Sequence, residues 1–260
     1  MTISFSKYQG AGNDFILLDN RDGRYDTLSI ETIQRLCDRK FGIGADGLIK
    51  INSHPTLDFE ADYYNADGSK SFCGNGGRCA VSFSHKLGLD VATTRFMGFD
   101  GEHLAHLADG IIRLKMADVY TIQSVDGNYE LYTGSPHYVH FSTDIQEFDI
   151  YSFGRMIRYN DQYAAEGINV NVVEELENDY LFVRTYERGV EDETYACGTG
   201  VTAVAMAMAK KQNQIGQVVT PVTVLGGNLE INFSYDGQKF TDVFLCGPAE
   251  RVFEGEIEIS

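Results

Sequence analysis

The sequence predicts an α/β (α+β) protein of two pseudo-symmetric halves, each a mostly antiparallel sheet wrapped around a central helix. Three observations carry this. Short alternating segments rich in β-branched and aromatic residues outnumber helical stretches. Two helix-like stretches begin alike, Cys73-Gly-Asn-Gly-Gly running into RCAVSFSHKLG and Cys197-Gly-Thr-Gly running into VTAVAMAMAKK. Landmarks upstream of the two cysteines also keep register. Asn13 and Ser135, each after a glycine, lie 60 and 62 residues before Cys73 and Cys197, and Gly44 and Gly167 lie 29 and 30 before them. Three landmarks in step across half the chain point to duplication. The competing reading is that glycines simply mark turns in a chain that holds 27 of them.

In chain order, strands are expected at 2–7, 15–19, 47–52, 59–65, 110–116, 129–132, 138–141, 168–174, 180–187, 222–223, 229–235 and 241–245. Each is short, and most alternate apolar with polar positions. Helical periodicity marks 29–40, 78–87 and 200–211, each bounded by Gly, Asn or Asp. The first half is expected to occupy 1–117 and to regain 249–260, because ERVFEGEIEI alternates like a closing strand. The second half is expected at 118–248. The acidic run at 191–193 reads as a solvated loop.

The chain has 38 Asp+Glu against 21 Lys+Arg, a net charge of −17. That field repels phosphate backbones and anionic lipid, so neither nucleic acid nor membrane is expected as a partner. The longest apolar stretch, 201–209, is nine residues and contains Thr202, too short to span a bilayer. MTISFSKYQG lacks the apolar core of a signal peptide. The five cysteines form no CxxC pair, so free thiols in a reducing cytoplasm and no metal site are expected.

A helix start leaves backbone N–H groups unpaired and carries partial positive charge, which favours anions and a thiolate. Glycines beside Cys73 and Cys197 let a ligand carboxylate approach Gly74, Asn75, Gly198 and Thr199. If two such halves face each other, one thiolate removes a proton from one face of a carbon acid and the opposing thiol returns one to the other. The stereocentre inverts. General acid–base work of this kind contributes about 10²–10⁴-fold, and preorganised donors for the enediolate about 3 kcal/mol each. GAGND at 10–14 lacks the third glycine and following helix of a dinucleotide loop, and no P-loop occurs. A mechanism without cofactor is the economical reading.

At these residues the chain resembles the diaminopimelate epimerase family of pyridoxal-independent epimerases. The likeness covers nearly the whole length, through KYQGAGNDFILLD, RKFGIGADGL, YYNADGSKSFCGNGGRCA, GSPH, GINV and YERGVEDETYACGTGV. It implies a homodimeric enzyme of lysine biosynthesis that interconverts LL- and meso-diaminopimelate. By the same resemblance Cys73 and Cys197 are the base and acid. Gly74, Asn75, Gly198 and Thr199 bind the α-carboxylate, and Asn13 and Glu187 hold the α-ammonium. Asn65, Asn169 and Arg188 read the distal end, while His137 and Glu187 tune the thiols. Two positions depart from the family pattern: Gly47 stands where some members have Gln, and Ser135 where many have Asn.

Blander readings apply residue by residue. Cys37, Cys79 and Cys246 read as buried packing groups. Asn13, Asn65 and Asn169 are also good turn-formers, His137 follows Pro136 as a turn residue often does, and Arg188 has surface acids for neighbours. Two other functions fit part of the pattern. A proline- or hydroxyproline-type racemase shares the two-thiol logic but needs no arginine for a distal carboxylate. A non-catalytic amino-acid-binding module needs the helix starts but not the thiols.

Overall fold

The computed structural model describes residues 1–89 and 91–259; Asp90 and Ser260, both within the expected first half, lie outside the described residues. Backbone contacts divide the chain into two units, Met1–Leu114 with Gly247–Ser260, and Lys115–Cys246.

The first unit runs β1 (Thr2–Gly10), β2 (Asn13–Asp19), α1 (Ile30–Cys37), β3 (Gly47–Asn52), β4 (Phe59–Asn65), α2 (Gly74–Lys86), β5 (Thr93–Gly98), β6 (Gly101–Ala108) and β7 (Ile111–Lys115). The second runs β8 (Ile122–Val125), β9 (Asn128–Tyr132), β10 (Pro136–Phe141), α3 (Ile150–Arg158), β11 (Asn169–Glu175), β12 (Leu181–Glu187), β13 (Asp192–Thr194), α4 (Gly198–Gln212), β14 (Gly216–Val224), β15 (Gly227–Tyr235) and β16 (Phe240–Gly247). The chain then supplies β17 (Glu250–Glu258), which pairs antiparallel with β1. The alternating tail is the closing strand the sequence implies.

Pairing repeats from unit to unit. Along β1-β2-β3-β4-β5-β6-β7 the pairs are antiparallel, parallel, antiparallel, parallel, antiparallel and antiparallel. Along β9-β10-β11-β12-β14-β15 and back through β16 the series holds, except that β15 and β16 slip register between Asn232 and Ser234. The mostly antiparallel, two-fold repeated fold is therefore present.

Each sheet wraps one helix. In α4 every residue from Gly200 to Ala209 is buried, and in α2 so is every residue from Gly74 to Val81. Helix α4 is apolar or small on nearly all sides, as a core helix is, whereas α2 buries Asn75 and Arg78 among its small residues. The outer helices are amphipathic and capped: Ser29 accepts from the Thr32 N–H at 3.2 Å, and Asp149 from the Ser152 N–H at 3.0 Å. Both central helices begin earlier than periodicity implies, because Gly74–Gly77 and Gly198 are helical although glycine is a poor helix former. Among the described residues, no helix is long and apolar enough to cross a membrane.

Several elements were not legible. Helix α3 contains Gly154, which reads as a breaker. Its role is steric, since a Cβ there would lie 2.3 Å from Cβ of Tyr186. Strands β5 and β6 form a hairpin through the break-like Gly98–Gly101 segment. The run at 191–193 is no solvated loop. Asp192 and Glu193 enter β13, Glu193 pairs with Arg184 at 2.6 Å, and Glu191 accepts from Arg158 at 3.3 Å and from the Tyr186 hydroxyl at 3.2 Å.

Candidate active-site residues

In the first unit the tight β1–β2 turn places both Ala11 (φ 54°) and Gly12 (φ 82°) in the left-handed region, as two-residue hairpins require. Asn13 follows immediately. Its Nδ2 donates to Oδ2 of Asp46 at 2.6 Å, so its Oδ1 faces the start of α2, where it accepts from Cys73 Sγ at 3.4 Å and from Asn75 Nδ2 at 3.3 Å. Cys73 is the extended residue preceding α2, and its side chain makes no capping bond.

A charged cluster behind Asn13 holds this arrangement. Asp14 pairs with buried Lys7 at 2.7 Å and with Arg39 at 2.7 Å, and Arg39 also meets Asp46 at 2.7 Å. Burial alone would raise the Asp14 carboxyl, but hydrogen bonds and charge from Arg39 and Lys7 outweigh it and bring it down to about 2. The sequence reading did not single out Lys7, Asp14, Arg39 or Asp46. The available signal was a lysine at an inward position of a β-strand and two carboxylates inside glycine turns.

Asn65 ends β4 and is not bonded to Asn13. Its Oδ1 accepts from the Tyr63 hydroxyl at 2.8 Å, and its Nδ2 donates to the Ser69 and Ser71 hydroxyls at 3.0 and 3.1 Å. Tyr63 also explains Gly47: a Cβ on that residue would lie 2.4 Å from the Tyr63 ring, so no side chain fits there.

In the second unit Cys197 is the extended residue before α4, and its Sγ lies 3.5 Å from the Thr199 hydroxyl. Buried His137 directs Nε2 at Thr199 Oγ1 (2.9 Å) and Ser135 Oγ (3.0 Å). Asn169 donates from Nδ2 to Ser135 Oγ at 2.8 Å and to the Pro136 carbonyl at 3.1 Å, and accepts from the Arg188 N–H at 2.8 Å. The shorter side chain at Ser135 thus stays inside the network, between Asn169 and Thr199. Arg188 extends past Gly167, where a Cβ would lie 2.7 Å from its Cδ, and donates to the Glu166 carbonyl at 2.9 Å. Glu187 accepts from the Thr194 hydroxyl at 2.8 Å.

His137 is held neutral. Burial first, and the Arg188 charge second, bring its imidazole from 6.5 down to about 3. The unfolded chain therefore binds a proton below about pH 6.5 that the folded chain refuses, so stability falls as pH drops through that window. Between pH 7 and 5 the expected loss from this group is about 2 kcal/mol. Burial lowers His140 in the same direction. Urea titrations of wild type and His137→Gln isolate the His137 share: the variant should lose distinctly less stability over the interval, and equal losses would refute the assignment.

Beyond these residues lie groups that sequence reasoning missed, Asn171 and Thr185. Asn171 Nδ2 approaches His137 Nδ1 at 3.2 Å and donates to the Tyr138 carbonyl at 3.0 Å, while its Oδ1 accepts from the Thr185 hydroxyl at 2.9 Å. Cys37, Cys79 and Cys246 are buried as expected. Desolvation pushes Cys37 up to about 12 and Cys79 upward as well, which keeps both protonated.

The structure thus joins Asn13, Cys73 and Asn75 in one unit, and Cys197, Thr199, His137, Asn169 and the Arg188 backbone in the other. Asn65 bonds to Tyr63, Ser69 and Ser71, and Glu187 accepts from Thr194. A family model for diaminopimelate epimerase matches residues 5–124 and 129–252. The chain is 46% identical over 253 residues to a diaminopimelate epimerase of Flavobacterium psychrophilum, covering 96% of this chain and 98% of that one. It is 37% identical over 265 residues to the Chlorobaculum tepidum enzyme of that name, covering 96% and 99%. Among solved structures it is similar to a phenazine biosynthesis protein of the PhzF family from Bacillus anthracis, with a TM-score of 0.77, 14% identity and 100% coverage of both chains, a likeness of fold alone. Since the family model spans nearly all of the chain and relatives that bear the family's name are 46% and 37% identical over 96% of it, the protein belongs to the diaminopimelate epimerase family.

Proposed function

We propose that the protein epimerises LL-diaminopimelate to meso-diaminopimelate, with Cys73 and Cys197 as general base and general acid that exchange roles with direction. The observation that carries the reading is the presence of both cysteines, each heading a buried central helix, in a chain of this family. Neither side chain caps its helix, so the first-turn N–H groups suit the α-carboxylate and the charge that grows on it as the α-proton leaves. Gly74, Asn75, Gly198 and Thr199 supply these contacts. Asn13 and Glu187 hold the α-ammonium; Asn65, Asn169 and Arg188 hold the distal amino-acid end, where a guanidinium fork matches a carboxylate. His137 and Glu187 set the thiols, and the thiol chemistry calls for no cofactor.

The two units are proposed as the two halves of one enzyme. A cytoplasmic homodimer is the accompanying proposal, in keeping with the family; sedimentation velocity reads the oligomer directly. The central test is incubation of LL-diaminopimelate, L-proline and L-lysine in deuterated water. The expected result is α-deuterium and inversion at one centre of diaminopimelate only. Exchange confined to proline, or none at all, overturns the reading.

A further inference from the structure

The two helix starts differ beneath their matching cysteines. In the first unit Phe15 pairs with Gly47, and Ile49 with Tyr63; in the second His137 pairs with Asn169, and Asn171 with Thr185. A Cβ on Gly76 would touch Phe15 and Ile49 at 3.3 Å, whereas one on Gly200 would lie 2.4 Å from Asn171 Oδ1. Three residues into each helix, one floor is apolar and the other is a buried hydrogen-bond chain.

The direction of that chain follows from groups that can only accept or only donate. Tyr138 O is an acceptor, so it fixes Nδ2 of Asn171 toward itself and hence toward His137 Nδ1. A ring nitrogen receiving a hydrogen bond carries the lone pair, so the neutral imidazole bears its proton on Nε2. Nε2–H then donates to Thr199 Oγ1 or Ser135 Oγ. Asn169 adds a second donor to Ser135, its amide fixed by the Pro136 carbonyl and the Arg188 N–H. Ser135 Oγ lies 3.3 Å from Thr199 Oγ1. Donation thus runs inward along both branches and leaves the Thr199 hydrogen to point at Cys197 Sγ.

At the other helix start the polarity is opposite. The Asp46 carboxylate turns Asn13 Nδ2 toward itself, so Cys73 meets a carbonyl oxygen, to which only a protonated sulfur can donate. A hydrogen bond to the charged form favours ionisation, and one from the neutral form opposes it.

We propose that the resting protein holds its acid–base pair as a Cys197 thiolate and a Cys73 thiol. Asn171 and Thr185 act as positioning residues that select the His137 tautomer, and Asp46 as the positioning residue that orients Asn13. This rests on the epimerase reading of both cysteines and adds which is ionised before substrate arrives. The charged groups on the packed elements are Arg188 near His137, Glu187 at the end of β12, Asp14, Asp46, Lys7 and Arg39 around Asn13, and the buried Arg78 beside Cys79 on α2.

The tests need no turnover, so they fail independently of the function. Ultraviolet thiolate absorbance at pH 7 should persist in Cys73→Ser and vanish in Cys197→Ser; the reverse pattern overturns the proposal. In uniformly ¹⁵N-histidine-labelled wild type, the signal lost in His137→Gln should be that of an Nε2–H tautomer, and an Nδ1–H tautomer overturns it. Asn171→Asp, which only accepts, should move the proton to Nδ1 and cut the Cys197 thiolate signal about tenfold at a fixed pH below its midpoint, one unit of pKa. A moved proton with unchanged thiolate also refutes the relay.

Discussion

Alanine at Cys197 or at Cys73 is expected to lower epimerisation by about 10²–10⁴-fold, the contribution of a positioned proton-transfer group. The fold should tolerate either change, because neither side chain caps its helix, and melting curves would show it. The more telling measurement is isotope exchange without inversion. A variant with one thiol left can still remove the α-proton from its own face and return one to that face. Deuterium should then enter one epimer faster than that epimer is converted. A single-alanine variant that epimerises at the wild-type rate refutes the two-thiol mechanism.

Arg188→Met is expected to lower kcat/KM for diaminopimelate roughly 100-fold, the scale of a lost charge-assisted hydrogen bond to a carboxylate. Most of the loss should appear in KM, as expected when binding common to ground and transition states is removed. The backbone of Arg188 is tied to Asn169 Oδ1 and its stem runs past Gly167, so truncation deletes the guanidinium while the strand end stays in place. Arg188→Lys should recover only part of the activity, since an ammonium cannot make the forked contact. Unchanged kinetics in the methionine variant would remove Arg188 from the distal site and favour a small cyclic substrate.

The repeated landmarks were legible because duplication copies local chemistry: a cysteine, a glycine pair and a helix start recur in sequence whatever surrounds them. The interior polar groups were not. Asn171 and Thr185 sit in strands where alternation reads only inward or outward, and nothing local distinguishes a packed residue from a link in a hydrogen-bond chain. Lys7 and Asp46 escaped for the same reason, because their partners Asp14, Arg39 and Asn13 come together only through strand pairing and loop closure. Helix α3 was hidden by Gly154, whose meaning lies in Tyr186, far along the chain. The 191–193 run misled because charge was read as solvation, whereas Arg158 and Arg184 supply partners from other elements.

Strand β17 pairs with β1 although the whole second unit lies between them in the chain. During synthesis the outer edge of β1 must therefore wait for its neighbour while that unit is made, roughly ten seconds or more at typical elongation rates. Over that interval the nascent first unit presents an open strand edge to the cell, a template for pairing with other chains. The order of the genetic message thus makes the N-terminal unit the last to be completed.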